Sequence, residues 1–189
     1  EGGHALADVL FGKVNPGGKL PCVFPRSEDH LPFFDRTATT IEYGYYHGYR
    51  LMDKAGHTPA FPFGFGLSYT TYEYKNLRLE QDEIAADGVL HASVEITNTG
   101  QRMGEEVAQL YVGYEGSAVE RPLKELKGFA RVRLEPGETK RVEFAVPGEQ
   151  LAYYDEERSG WVIEPIAYNV YVGPSSAATP LHGQFRVRK

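Results

Sequence analysis

Hydrophobic and polar positions alternate along much of this chain, but the alternation begins only about a third of the way in. From residue 71 onward, apolar side chains recur at every second position in short segments separated by turn residues. This pattern is typical of antiparallel strands with one buried face. In the clearest segment the apolar positions are Leu90, Ala92, Val94 and Ile96.

Similar alternation predicts further strands at residues 72–79, 107–114, 130–134, 142–146, 168–172 and 185–187. A slip in the first of these, between Tyr74 and Leu77, predicts a β-bulge. Residues 135–138 predict a turn, because Pro136 presets one dihedral angle and Gly137 accepts a positive one. About seven strands over roughly 120 residues favour an immunoglobulin or fibronectin type III sandwich, and therefore a mostly β chain.

The first third of the chain follows a different pattern. Residues 1–12 predict a short helix with Ala5, Leu6, Val9 and Leu10 on one face. Nothing nearby in sequence covers that face, so we expect the helix to belong to a larger protein. The chain up to Tyr69 is rich in Gly, Pro, Tyr and Phe, and its prolines favour edge strands or irregular structure. We therefore predict two units, residues 1–70 and residues 71–189.

Composition narrows the classes of partner. Of the 189 residues, 41% are hydrophobic and 24% are charged, and the net charge is -6. Because the basic residues are dispersed, we expect neither nucleic acid nor a membrane as the main partner. Cys22 has no second cysteine to pair with, so the compartment stays undetermined, and we interpret it as a small buried hydrophobe.

The titratable residues do not form a recognisable catalytic or metal-binding motif. We interpret the acidic clusters at residues 105–106 and 155–157 as solvated charge at strand ends, with no predicted cleft. The six histidines lack the spacing of metal ligands, and the glycine-rich segments lack the full pattern of a phosphate-binding loop. We therefore predict no catalytic residue, no metal and no cofactor in this chain.

One segment, residues 42–50, combines aromatic, acidic, imidazole and guanidinium groups. Aromatic rings cover the apolar faces of sugars and charged groups bind sugar hydroxyls, so these residues are candidates for substrate binding. The candidates are Glu42, Tyr43, His47 and Arg50. The alternative is structural, because a proline-rich connector needs large rings to bury and the four tyrosines of this segment would supply them.

Several ordered blocks of sequence resemble glycoside hydrolase family 3, the β-glucosidases and β-xylosidases. Residues 1–21 resemble the end of that family's α/β sandwich domain. Its later landmarks follow in order at residues 48–50 and at residues 61–70, FPFGFGLSYT. Its C-terminal fibronectin type III-like domain is matched by residues 94–100, 121–129 and 134–138. Ile166 departs from the family's usual glycine, and Tyr168 is expected to pack its hydroxyl group against the backbone.

The resemblance implies a retaining enzyme that hydrolyses terminal β-linked sugars from oligo- or aryl-β-glycosides. It also implies an aspartate nucleophile on an N-terminal barrel and a glutamate acid/base upstream of residue 1, so neither maps onto this chain. The implied partner is the barrel and sandwich part of the same enzyme, on one polypeptide or as a separate chain. The alternative is a carbohydrate-binding or structural β-sandwich module without catalysis.

Overall fold

The computed structural model describes residues 1–188. Its first 70 residues contain two short helices, α1 (Gly2–Leu10) and α2 (Gly48–Ala55), and a 3-10 turn at Glu28–His30. Helix α2 ends where Gly56 adopts a left-handed conformation with φ of 67°, which a residue with a side chain rarely adopts. None of the described helices has the length and apolarity needed to cross a membrane.

Ten strands follow, with a second 3-10 turn at Gly148–Leu151. They are β1 (Tyr72–Leu79), β2 (Glu83–Ile84), β3 (Val89–Asn98), β4 (Gly104–Glu115), β5 (Glu125–Leu134), β6 (Thr139–Pro147), β7 (Tyr153–Asp155), β8 (Gly160–Val162), β9 (Ala167–Gly173) and β10 (Leu181–Val187). One sheet has the order β1-β3-β6 and the other the order β2-β10-β9-β4-β5. Strands β7 and β8 form a separate hairpin.

The two larger sheets bury a single hydrophobic core between them. Its fully buried members come from both sheets, with Leu90 and Ile96 on β3 and Leu110, Tyr168 and Phe185 on the five-stranded sheet. Burial of this kind is the main favourable term in folding. The core belongs to the sandwich and not to the first 70 residues, where Met52 is the only buried apolar side chain.

Several of the sequence predictions are confirmed. The chain is mostly β, the opening helix forms, and all seven predicted strands lie within β1, β3, β4, β5, β6, β9 and β10. The register between β1 and β3 shifts between Lys75 and Arg78, as the predicted bulge requires. In the predicted turn, the amide of Glu138 donates to the carbonyl of Glu135 at 3.0 Å and Gly137 has a φ of 76°.

Other features differ from the predictions. Helix α2, strand β2 and the hairpin β7–β8 were not predicted, because each is too short to show a full period of its pattern. The prediction that Cys22 is a buried hydrophobe is wrong. Cys22 is exposed. It lies in irregular chain between Pro21 and Pro25, just before the bridge that pairs Phe24 with Phe61, and is not part of either sheet.

Candidate functional site

Helix α2 is fixed to strand β5 and the chain just before it by charged side chains. Arg50 Nη2 lies 2.7 Å from Glu125 Oε1, and Lys124 Nζ lies 3.3 Å from Asp53 Oδ2. The amide of Leu126 also donates a hydrogen bond to the Tyr49 hydroxyl group at 3.0 Å. These contacts position the tyrosine-rich segment that precedes α2 against the sandwich.

Glu125 is the centre of this cluster. Its carboxylate is nearly buried, lies 3.2 Å from Lys127 Nζ and accepts a hydrogen bond from the Tyr114 hydroxyl group. Burial alone would raise the pKa of Glu125, but the Tyr114 hydrogen bond and the charges of Lys127 and Arg50 outweigh it and lower that pKa. Glu125 is therefore held ionised, and its role is to join the two regions of the chain.

Glu106 joins the same two regions at a second point. Lys19 Nζ lies 2.9 Å from its carboxylate, and the Tyr74 hydroxyl group donates to it at 2.8 Å. Burial and the neighbouring charge of Glu106 raise the pKa of Tyr74. The prediction that residues 105–106 carry only solvated charge is therefore wrong for Glu106, which Lys19 and Tyr74 keep paired inside the protein.

The glycine-rich segment at residues 61–66 packs closely on strand β4. Gln109 Nε2 donates to the carbonyl oxygens of Gly64, at 3.1 Å, and Pro174, at 2.6 Å, and the Tyr111 hydroxyl group donates to Gln109 Oε1. Gly64 has a φ of 77°, and a Cβ atom there would collide with the Gln109 side chain. Glycine at this position is thus a requirement of packing.

Glu164 and Tyr168 form the corner that the sequence predicted. The Tyr168 hydroxyl group donates to the Glu164 carbonyl oxygen at 2.8 Å, which confirms the prediction. Burial, followed by the charge of Glu164, raises the pKa of Tyr168 to about 12. The Glu164 carboxylate accepts hydrogen bonds from the Ser117 hydroxyl group at 2.6 Å and the Ala118 amide at 2.7 Å.

Glu106, Glu125 and Glu164 therefore each have internal donors. A general acid or a nucleophile has to reach its substrate, and these three carboxylates are committed to holding the fold. They give no reason to assign a catalytic residue in the described part of the chain.

The four candidate substrate-binding residues lie in two different settings. Glu42 and Tyr43 are exposed and line an open recess of about 390 Å³ together with Phe33 and neighbouring residues. His47 is exposed and precedes the first residue of α2, and Arg50 is half-buried against Glu125. His47 and Arg50 do not line the recess that Glu42 and Tyr43 form.

A larger cavity lies beside the hairpin β7–β8. It has a volume of about 720 Å³, and residues 155–157, interpreted above as charge without a cleft, line it. That part of the interpretation is wrong, because these acids line a cavity whose nearly buried floor includes Arg121 and Lys127. The sequence signal for this site was the pair of aromatic residues Tyr154 and Trp161, one on each side of a turn.

Apolar side chains of the first region are exposed in this chain. On and just after α1, Leu6 is 60%, Leu10 67% and Phe11 89% exposed, and no residue of the helix is buried. Phe33 and Phe34 are exposed as well. Leu6 and Leu10 lie one helical turn apart and form one apolar patch, which is a feature of surfaces that contact another protein surface.

Two sequence profiles match this chain. The profile of the glycosyl hydrolase family 3 C-terminal domain matches residues 1–69, and that of the fibronectin type III-like domain matches residues 106–176. The chain belongs to glycoside hydrolase family 3.

Family 3 relatives match the chain over nearly its whole length. It is 42% identical over 190 residues to thermostable β-glucosidase B of Acetivibrio thermocellus, covering 98% of this chain and 25% of that protein. It is 45% identical over 184 residues to a β-xylosidase of Formosa agariphila, covering 95% of this chain and 24% of the relative. The chain thus spans about a quarter of the length of these family 3 relatives.

Solved structures of β-glucosidases have the same fold. A β-D-glucoside glucohydrolase from Trichoderma reesei matches with a TM-score of 0.90 and 33% identity, covering 98% of this chain and 28% of that structure. β-Glucosidase 3B from Thermotoga neapolitana, solved with α-D-glucose, matches with a TM-score of 0.89 and 38% identity, covering 99% and 27%. The family 3 resemblance seen in the sequence blocks is confirmed.

Proposed function

We propose that this chain is the C-terminal segment of a retaining, exo-acting β-glycosidase that hydrolyses terminal β-linked sugars. The observation that carries the proposal is its similarity over 98% of its length to a β-glucosidase. In this proposal residues 1–70 complete the α/β sandwich domain and residues 71–189 form the fibronectin type III-like domain. The aspartate nucleophile and the glutamate acid/base belong to the part of the enzyme upstream of residue 1.

The exposed face of α1 supports the proposed partner. Leu6, Leu10 and Phe11 present apolar surface that water solvates poorly. The family 3 relatives are about four times as long as this chain, so each has several hundred further residues available as a partner surface. The proposed occupant of this face is the preceding part of the same sandwich domain.

The role proposed for residues 71–189 is to brace the rest of the enzyme. The support is the set of ion pairs Arg50–Glu125, Lys19–Glu106 and Lys124–Asp53, which connect the first region to the sandwich. Within this proposal Glu42 and Tyr43 are the better candidates for substrate contact, because they are exposed and share a recess. Arg50 instead helps to join the first region to the sandwich through its ion pair with Glu125.

A chimera tests the proposal. The aligned quarter of A. thermocellus β-glucosidase B is replaced by residues 1–189, and hydrolysis of p-nitrophenyl β-glucoside and β-xyloside is measured. We expect the chimera to turn over at least one of these substrates and residues 1–189 alone to turn over neither. Turnover by residues 1–189 alone would contradict the upstream location of the catalytic carboxylates.

A variant of the same chimera, with both Leu6→Glu and Leu10→Glu, tests the proposed contact. Because these changes place two charges in the proposed contact between α1 and the upstream part, we expect lower thermal stability and lower yield of active enzyme. Leu123→Glu, at an exposed apolar residue of the sandwich, serves as the comparison and is expected to behave like the parent chimera. Equal behaviour of the double variant and the parent would refute the proposed contact.

A further inference from the structure

The cavity beside the hairpin β7–β8 has the size of a small-molecule site. Its volume of about 720 Å³ lies within the range of pockets that bind ligands of one to a few rings. Hairpin residues form one part of its lining, and Tyr45, from the loop before α2, contributes another. The cavity therefore lies where the tyrosine-rich segment meets the sandwich.

Two aromatic rings on the hairpin face this site. Tyr154 on β7 and Trp161 on β8 are directly opposite each other in the strand register, so their side chains emerge on the same face. Their ring centroids are 5.6 Å apart with an interplanar angle of 77°. Tyr154 is 51% and Trp161 74% exposed, which leaves a broad aromatic surface available to a ligand. Such rings bind flat apolar faces, including the C–H faces of sugars.

The floor of the cavity is cationic and tightly held. The Arg121 guanidinium group lies 3.6 Å from the centroid of the Tyr114 ring, and its Nη2 donates to the Leu151 carbonyl oxygen at 3.0 Å. Its Nη1 is buried without a hydrogen-bond acceptor among the described residues, since Glu164 is 3.9 Å away, beyond hydrogen-bond distance.

Lys127 adds further donors to the floor. Its ammonium group lies 3.2 Å from Glu125, and an ammonium group carries three N–H donors. The side chain lines the cavity, so a ligand oxygen in the cavity can approach it. Lys127 therefore keeps hydrogen-bonding capacity that the fold does not use, whereas the buried Arg121 Nη1 is out of reach of a ligand and Arg121 contributes positive charge.

The charges around the cavity select the class of ligand. Two cations line it against five carboxylates, which are those of Glu120, Glu125, Asp155, Glu156 and Glu157. Outside the lining, Arg50 pairs with Glu125, Lys54 with Glu120 and Arg158 with Asp155. The five carboxylates are thus balanced by five cations, and the surroundings favour neither an anion such as phosphate nor a cationic ligand. A neutral molecule with many hydroxyl groups and an apolar face matches carboxylate acceptors, cationic donors and aromatic rings at once.

We propose that this cavity binds a neutral oligosaccharide, with a pyranose ring on Trp161 and Tyr154 and its hydroxyl groups directed to Asp155 and Lys127. The proposal concerns binding alone and does not rest on the hydrolytic activity proposed above. A chain that fails to support hydrolysis in the chimera can still bind sugar here. Conversely, a chain that supports hydrolysis can fail to bind sugar in this cavity.

Trp161 supplies a direct probe, because it is the only tryptophan in the sequence. The 189-residue chain is titrated with cellotetraose while Trp161 emission and its quenching by acrylamide are recorded. We expect a saturable change in emission in the millimolar range and reduced quenching at saturation. Titrations with inorganic phosphate and with tetramethylammonium test the two excluded charge classes, and we expect saturation by neither.

Tyr154→Ala is the main variant, because it removes part of the aromatic surface and keeps the Trp161 probe. We expect about tenfold weaker binding, the upper end of what an aromatic contact contributes. Phe129→Ala, at an exposed aromatic residue of β5 that does not line the cavity, is the matched control and should bind as the parent does. Circular dichroism verifies the fold of both.

Calorimetry with Trp161→Phe and Trp161→Ala completes the test, with retained binding expected for the first and loss for the second. Three outcomes would overturn the proposal. They are the absence of saturation by cellotetraose, equal affinity of Tyr154→Ala and the parent, and saturation by phosphate or tetramethylammonium in place of the sugar.

Discussion

The first 70 residues and the sandwich that follows them are stabilised in different ways. The sandwich buries a core of some twenty apolar side chains between two sheets. The first region buries one, Met52, and is held to the sandwich mainly by ion pairs, hydrogen bonds and aromatic contacts. It also exposes Leu10 and Phe11 at the end of α1.

The difference shows that an ordered segment does not need a core of its own when another domain supplies fixed partners. About 70 residues rarely bury enough apolar surface to offset the loss of chain entropy. Glu106 and Glu125 compensate in part, because each is a buried charge on the sandwich that is matched by a cation from the first region, Lys19 or Arg50. The first region is therefore expected to depend on the sandwich, and the sandwich to be less dependent on it.

Removing a large core side chain from the sandwich should have the greatest effect on stability. Phe185 is fully buried and stacks on Tyr168 with ring centroids 5.3 Å apart. We expect Phe185→Ala to lower the free energy of unfolding by about 3–5 kcal/mol, and Met52→Ala by about 2 kcal/mol. Urea unfolding followed by circular dichroism measures both. A larger loss for Met52→Ala would reverse the ranking of the two regions.

Neutralising Glu125 should be the next most damaging change. Glu125→Gln leaves Lys127 and Arg50 without their shared anion in a nearly buried setting, and we expect a loss of about 3 kcal/mol. Glu120→Gln is the matched control, because Glu120 pairs with Lys54 at the surface and such pairs contribute at most about 1 kcal/mol. Equal losses in the two variants would show that burial of the pair is unimportant.

The same carboxylate predicts a dependence on pH. The pKa of Glu125 is lower in the folded chain than in the unfolded chain, where it is about 4.3. Its contribution to stability is therefore complete above the unfolded pKa and is lost as the pH falls through the folded pKa. We expect the stability difference between the parent and Glu125→Gln to be constant from pH 6 to pH 8 and to shrink below about pH 4. A constant difference at all pH values would contradict this assignment.

These contrasts explain how far the sequence could predict the structure. Strand β3 was predictable because Leu90, Ala92, Val94 and Ile96 all point into the core, at 2% exposure or less. The same parity rule, applied to β4, would have found Glu106, which shares a face with the buried residues Ala108 and Leu110. The error came from treating charge as evidence of exposure.

The remaining features depend on contacts between distant parts of the chain. Helix α2 has only eight residues, and Arg50 on it is paired with Glu125, 75 positions later. The cavity beside Tyr154 and Trp161 exists because a hairpin of three-residue strands folds next to Arg121. Contacts between residues so far apart in the sequence leave no periodic pattern, so residue spacing alone could not predict where the candidate sites lie.

A smaller effect is expected where a glycine of the first region touches the sandwich. Gly64 and Gly116 have similar positive φ angles, 77° and 73°, but a Cβ atom on Gly64 would collide with Gln109 while one on Gly116 would meet open space. Gly116→Ala should therefore cost about 1 kcal/mol from backbone strain alone, and Gly64→Ala about 2–3 kcal/mol. Thermal unfolding of the two variants separates close packing from backbone strain, and equal costs would refute the packing argument.

The smallest effect is expected on the exposed face of α1. Leu10→Ser removes an apolar side chain that is 67% exposed, so in the 189-residue chain it should change the free energy of unfolding by no more than about 0.5 kcal/mol. In the chimera with the upstream part of a family 3 relative, the same substitution should cost more than 1 kcal/mol, because the proposed contact buries Leu10 there. Denaturant unfolding of both proteins gives the two values. A cost that is equally small in the chimera would mean that α1 faces solvent in the assembled enzyme as well. The exposed apolar face of the first region would then be a property of this chain and not the result of a missing partner.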